Sequence, residues 1–314
     1  MRVYYASDIH GSEKLWRKFL NAASFYEAEV LIMGGDLTGK VMVPLVERKP
    51  REWFAHVSGK DQKAKGEDEA AELERRIRLN GFYPIRCDED EYERLQRDVL
   101  HREAIFKDLM RAELERWMQT AADKLRQSGV RCFVMPGNDD EWDIDDVLES
   151  APAPVESVEG RVVNFDGVDM LSSAWTNPTP WDSPRELPED ELLDHLEKLA
   201  AQLDGRAPAI FNLHCPPHNS GLDVAPELTD DLRVVTEGGE PKLIPVGSTA
   251  VRTLIERYEP VLALHGHIHE SRAATHIGPT LCINPGSAYG EGVLDGVTVD
   301  IEGGRVSSYQ LVSG

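Results

Sequence analysis

A chain of 314 residues, 41% of them hydrophobic, is long enough for one large α/β core with an insertion or for two domains, and too apolar for wholesale disorder. Its formal charge of −22 argues against nucleic-acid binding driven by the net field, because that binding relies on Lys and Arg meeting phosphates. Cys87, Cys132, Cys215 and Cys282 form no C-x-x-C pair, so neither a disulfide framework nor a zinc ribbon is indicated.

The chain opens directly on the strand-like Arg2-Val3-Tyr4-Tyr5-Ala6, with no charged and apolar leader ahead of it, and no segment offers 18 uninterrupted apolar residues. A cytoplasmic protein with no membrane span is expected. Further strand-like runs at 29–34, 130–135, 161–165, 168–173, 209–214, 261–265, 280–283, 293–299 and 305–311 are bounded by Gly, Pro, Asn or Asp. Helices are expected at 13–24 after Ser12, at 188–204 from Pro188 and at 249–258 after Ser248. This order predicts an α/β core of mixed sheets.

Residues 41–128 differ in texture, holding 18 of the 34 Lys and Arg against 19 of the 56 Asp and Glu, so the segment is nearly neutral in an acidic chain. The expected division is therefore a core in two parts, 1–40 and 129–314, separated by a mainly helical insertion at 41–128. Within it, Tyr92, Leu95, Val99, Phe106, Met110, Leu114, Trp117, Ala121 and Leu125 recur at helical spacing and predict a single helix over 89–127. A shorter helix is expected at 70–79 and a hairpin across 41–46 and 53–57. Lys60 to Gly66 reads as a solvated, mobile loop. The insertion suits either a cap over a site or an arm for homo-oligomer formation.

Five clusters of ligand-type side chains fall at expected strand ends: Asp8 and His10, Asp36, Asn138-Asp139-Asp140, His214, and His267 with His269. The C-terminal edge of an open α/β sheet is where loops converge on a ligand. Oxygen and imidazole donors without thiolate suit hard to borderline divalent cations. Taken singly, Asp8 with His10 reads as readily as a cap or turn, Asn138-Asp139-Asp140 more readily as a turn or helix start, and His267 with His269, though stronger, also as a packed hydrogen-bonded pair; the five in order do not.

That order, D-x-H, G-D, G-N-x-D, H, G-x-H, resembles the calcineurin-like metallophosphoesterase superfamily. Runs such as Gly35 to Lys40, Thr179-Pro180-Trp181 and Asn284-Pro285-Gly286 are similar to its Icc-related branch. The resemblance implies a four-layer αββα sandwich and a dinuclear metal-dependent phosphoesterase that activates water against a phosphodiester or small phosphate ester. It implies two divalent metal ions, most often Mn, Fe or Zn. Asp8, His10, Asp36 and His269 would surround one and Asn138, His214 and His267 the other, with Asp36 bridging.

One position departs from the pattern. The histidine usually credited with protonating the leaving group is replaced here by Asp139, which two nearby cations would keep ionised and so a poor acid. His218 is the alternative proton donor, and Lys40 and Arg185 are candidate phosphate clamps. His265 is expected in the core. Two other readings stay open: a metal-site scaffold for protein-protein interaction, and a nuclease subunit using the basic residues of the insertion.

Overall fold

A computed structural model describes residues 1–314. Two six-stranded mixed sheets form its centre. The first runs, edge to edge, Arg305–Ser313, Asp295–Glu302, Arg2–Ala6, Val30–Met33, Arg131–Val134 and Val155–Ser157. The second runs Ala273–Ile277, Thr280–Asn284, Leu262–Leu264, Ala209–Leu213, Val168–Ser173 and Arg161–Phe165.

Period-two side-chain alternation makes the layers. Val3, Tyr5, Val30, Ile32, Phe133 and Met135 point inward and meet Met170, Ile210, Leu262 and Ile283 of the second sheet. Their neighbours Tyr4, Leu31, Met33, Cys132 and Val134 point outward, under the helices Glu13–Phe25 and Val99–Leu125. Leu171, Phe211 and Ala263 carry Glu189–Ala200 and Thr249–Tyr258 on the opposite side. Because the central strands are apolar on both faces, each must be covered twice, and the result is the expected αββα sandwich.

The insertion is helical over most of its length, yet it also carries a four-stranded sheet ordered Lys60–Lys65, Glu52–Val57, Val41–Lys49, Phe82–Cys87. Two expectations change here. The segment read as a loop from Lys60 is an edge strand paired with Glu52–Val57, leading into the helix Gly66–Leu79. Only Ala64 of this strand is buried, so its sequence lacks an apolar alternation, and its lysines are what an exposed edge favours. The single helix expected over 89–127 is broken at Asp98, which closes Glu89–Arg97 and, in extended conformation, caps Val99–Leu125 by accepting from the His101 amide at 3.1 Å.

That long helix passes from the insertion into the core. Met110, Leu114, Trp117, Met118, Ala121 and Leu125 share one apolar cluster with Trp16 and Phe19. The indoles of Trp16 and Trp117 stack at 5.4 Å. No helix is long and apolar enough to cross a membrane.

Candidate metal centre

The parallel strands of each sheet end at a common edge, and there the chain turns sharply. Asp8, His10, Asp36 and His267 all have positive φ, at 57, 41, 52 and 66°. Left-handed backbone at non-glycine residues costs about 1–3 kcal/mol each and tends to collect at functional sites. Close approach is secured by small neighbours. A Cβ on Gly137 would sit 2.1 Å from Asp36 Oδ1, and one on Gly266 would sit 2.4 Å from Asp8 Oδ2.

Two overlapping groups of donor atoms result. Asp8, His10, Asp36 and His269 converge in one, and Asp36, His214 and His267 in the other. His10 Nε2 lies 3.2 Å from His269 Nε2 and 3.8 Å from Asp36 Oδ2. His269 Nε2 is 3.3 Å from Asp8 Oδ1, and His214 Nε2 is 3.4 Å from Asp36 Oδ2. His214 Nδ1 bonds the Gly34 carbonyl at 2.8 Å, so its Nε2 faces the cluster. Asn138 precedes Asp139, whose amide bonds Asp36, and its Nδ2 donates to the Ser183 hydroxyl at 2.6 Å.

His214 Nε2 and Asn138 Oδ1 are buried without a hydrogen-bond partner. Polar atoms buried without a partner are costly, and a cation would satisfy both. The donor set therefore fits divalent metal.

The electrostatics of the protein groups agree with this. Burial disfavours a charged His214, yet Asp36 and Asp8 overcome it and push the imidazole up to about 10. Burial alone would raise the Asp36 carboxyl, but His214, His10 and His267 hold it well below its ordinary value. Burial, with His214 nearby, lowers His267 to about 4, leaving it neutral as a ligand must be. Without cations the acidic cluster recruits protons instead.

Asp139 lies between two partners. Its Oδ1 pairs with Lys40 Nζ at 3.1 Å and its Oδ2 is 3.9 Å from His10 Nδ1. Burial and Asp36 raise its carboxyl above the usual value, opposed by Lys40 and His10, so the low value expected for it is not supplied by the protein's own groups.

Arg185 is not available as a phosphate clamp. It is 1% exposed, donates to the carbonyls of Gly137 and Asp140, pairs with Asp145 and lies 4.3 Å over the Trp142 ring. Its charge stabilises the loop that carries Asn138. His218 sits on a separate loop beside Asp223, at 3.9 Å, and makes no contact with Asp139 or either donor group. His265 is fully buried, bonded to the Leu213 and Cys215 carbonyls.

Three contributors have roles that the sequence did not assign, although Asp140 stood in one of the clusters. Asp140, 1% exposed, accepts from the amides of Leu37, Thr38 and Gly137 at 2.8–2.9 Å and ties two ligand loops together. Tyr289 packs on His10 and His269 with centroids 4.5 and 5.6 Å apart, just past Asn284-Pro285-Gly286. Gly81 of the insertion presses its carbonyl against Gly39, and the Tyr83 hydroxyl accepts from the Gly39 amide at 2.9 Å.

No protein-family model matches the chain. The uncharacterized protein MJ1162 of Methanocaldococcus jannaschii is 29% identical over 154 residues, 48% of this chain and 62% of that protein, so the match spans less than two thirds of the relative. One solved crystal structure has a TM-score of 0.57 at 16% identity, covering 100% of this chain and 98% of its own. TT1561 of Thermus thermophilus follows at 0.53 and 13%, covering 100% and 97%. An archaeal phosphodiesterase gives 0.41 at 12%, covering 100% of both chains. The two likenesses with TM-scores above 0.5 speak, at such identity, to the fold alone. The fold is the αββα sandwich that the calcineurin-like resemblance implies.

Proposed function

We propose that this protein is a dinuclear metal-dependent phosphoesterase acting on a phosphodiester or a small phosphate ester. The observation that carries the reading is the Asp36 carboxylate, which belongs to both donor groups and is suited to bridge two cations. Asp8, His10 and His269 would complete one site and Asn138, His214 and His267 the other. Carboxylate, imidazole and amide donors favour Mn, Fe or Zn. Two such ions, when bound, polarise the phosphoryl group, lower the pKa of a coordinated water and neutralise charge in an in-line displacement.

The chain's own residues supply orientation. The Gly34 carbonyl fixes the His214 tautomer. Ser183, itself bonded to the Glu186 carboxylate, accepts from the Asn138 amide nitrogen and so leaves the buried Asn138 oxygen free to serve as a ligand. The Asp139 amide donates to Asp36 Oδ1 at 3.1 Å, holding the shared carboxylate in place.

The test pairs elemental analysis of protein purified without chelator with rates on mono- and bis-p-nitrophenyl phosphate. Two equivalents of metal and chelator-sensitive hydrolysis are expected. Two equivalents of metal without hydrolysis of either ester would favour a binding scaffold instead.

A further inference from the structure

The strand end after Asp36 leads within four residues to Lys40, and the structure gives this lysine an unusual setting. Its ammonium pairs with Asp139 Oδ1 and donates to the Asp139 carbonyl. Asp139 in turn bonds the shared Asp36 carboxylate through its amide at 3.1 Å, and its second oxygen stands beside the outer nitrogen of His10. Lys40 is thus one residue removed from the centre of the donor cluster. An ammonium offers three donors, and Asp139 uses two of them. The side chain remains 43% exposed, so the third is free for a ligand arriving from solvent.

The backbone beneath it is held from both sides. A Cβ on Gly39 would lie 2.2 Å from the Gly81 carbonyl and 3.3 Å from the His10 carbonyl, and the Gly39 amide is fixed by Tyr83. Arg185, the other cation the sequence offered, is spent inside the protein. A phosphate approaching Asp8, Asp36 and Asp139 meets three carboxylates, so a protein cation at the rim has a clear electrostatic purpose.

We propose that Lys40, positioned by Asp139, is the protein's phosphate-binding cation at this edge of the donor cluster. It donates a hydrogen bond to an oxygen of bound phosphate and, in an ester, to the leaving-group oxygen as its bond to phosphorus breaks and negative charge collects on it. Asp139 is a positioning residue for Lys40. The turnover part of this inference rests on the phosphoesterase reading; the binding part does not.

The test is calorimetric titration of manganese-loaded protein with inorganic phosphate, with metal content measured for each variant. Lys40→Ala should keep its metals and weaken phosphate binding on the order of 10- to 100-fold, the worth of one charge-assisted hydrogen bond. Lys40→Arg should recover most of that loss. Asp139→Asn should weaken binding less, by loosening Lys40. In turnover, Lys40→Ala should slow alkyl esters more than p-nitrophenyl esters, steepening the dependence on leaving-group pKa.

The double variant Lys40→Ala/Asp139→Ala is decisive against a purely neutralising lysine. If Lys40 only cancels the Asp139 charge, the double variant binds phosphate like the wild type, and the proposal is overturned. Binding within twofold of wild type in Lys40→Ala overturns it as well. Should phosphate binding depend on Lys40 while no ester is hydrolysed, the assignment of Lys40 stands and the phosphoesterase reading falls.

Discussion

Asp36 is the side chain on which both donor groups depend, so its loss should differ in kind from the loss of a ligand to one group. Asp36→Ala is expected to lose both metals, whereas Asn138→Ala should chiefly weaken one; metal analysis of the folded variants reads the difference. Retention of two tightly held metals by Asp36→Ala would remove the bridge. The protonation of His214 gives a second prediction. Its pKa rises from the ordinary 6.5 to about 10, so in metal-free protein its contribution to stability is full below about 6.5 and fades as pH climbs through about 10. A metal must displace that proton. Metal binding near pH 7.5 should therefore release protons, seen as a dependence of the calorimetric heat on the buffer's ionisation enthalpy, and affinity should increase toward pH 9. Equal heats in all buffers would contradict this. At this scale the sequence was informative where a glycine, a strand end and a donor coincide, as at Gly35-Asp36. It could not distinguish Arg185, a buried cation cradled by carbonyls, from an exposed clamp, because both use the same residue type. It marked Asp140 as part of a ligand-type cluster but not its actual role, which depends on amides about a hundred residues away.

Among the elements, the helix Val99–Leu125 has two halves with different duties. Leu100 is 79% exposed, while Trp117 is buried against Trp16. Trp117→Ala should destabilise the protein by about 3–5 kcal/mol, and Leu100→Ala by less than about 0.5, in urea unfolding followed by circular dichroism. Comparable losses for both would mean that the helix packs elsewhere. The core strands were readable because burial on both faces writes itself as an apolar run, as in Val30-Leu31-Ile32-Met33, and the helices because apolar residues recur on one face. The edge strand Lys60–Lys65 was not, since one buried alanine leaves no pattern. Helical spacing also continues across Asp98, which hides the break; an aspartate three residues before His101 was the available sign of a cap. The contact between Gly81 and Gly39 depends on tertiary packing that neither local sequence reveals. It makes the insertion a brace for the loop that carries Asp36 and Lys40, and Tyr83→Phe should weaken phosphate binding by a few-fold with metals retained, measured by the same titration.

On the scale of the whole molecule, Asp8, His10, Asp36 and Asn138 follow strands of the first sheet, while His214, His267 and His269 follow strands of the second. Cations held between them would tie the sheets together across their shared edge. Loading with metal at about 100 times Kd should add about 2.7 kcal/mol, a rise of several degrees in Tm that a chelator reverses. An unchanged Tm would show that the folded protein does not bind the metal in preference to the unfolded chain. The pairing of Arg2–Ala6 with Asp295–Glu302 also sets the order in which the protein is made. Val3 waits for Val299, and Asp8 waits for His267 and His269, so neither the first sheet nor the donor cluster closes until nearly 300 residues have left the ribosome. At about 5–20 residues per second, the edge of the first strand that Asp295–Glu302 covers stays open for roughly 15–60 s, while its other edge can pair early with Val30–Met33. A chain cut short before His267 keeps both acidic donors, Asp8 and Asp36, but lacks two of the four imidazoles, and is expected to hold metal poorly.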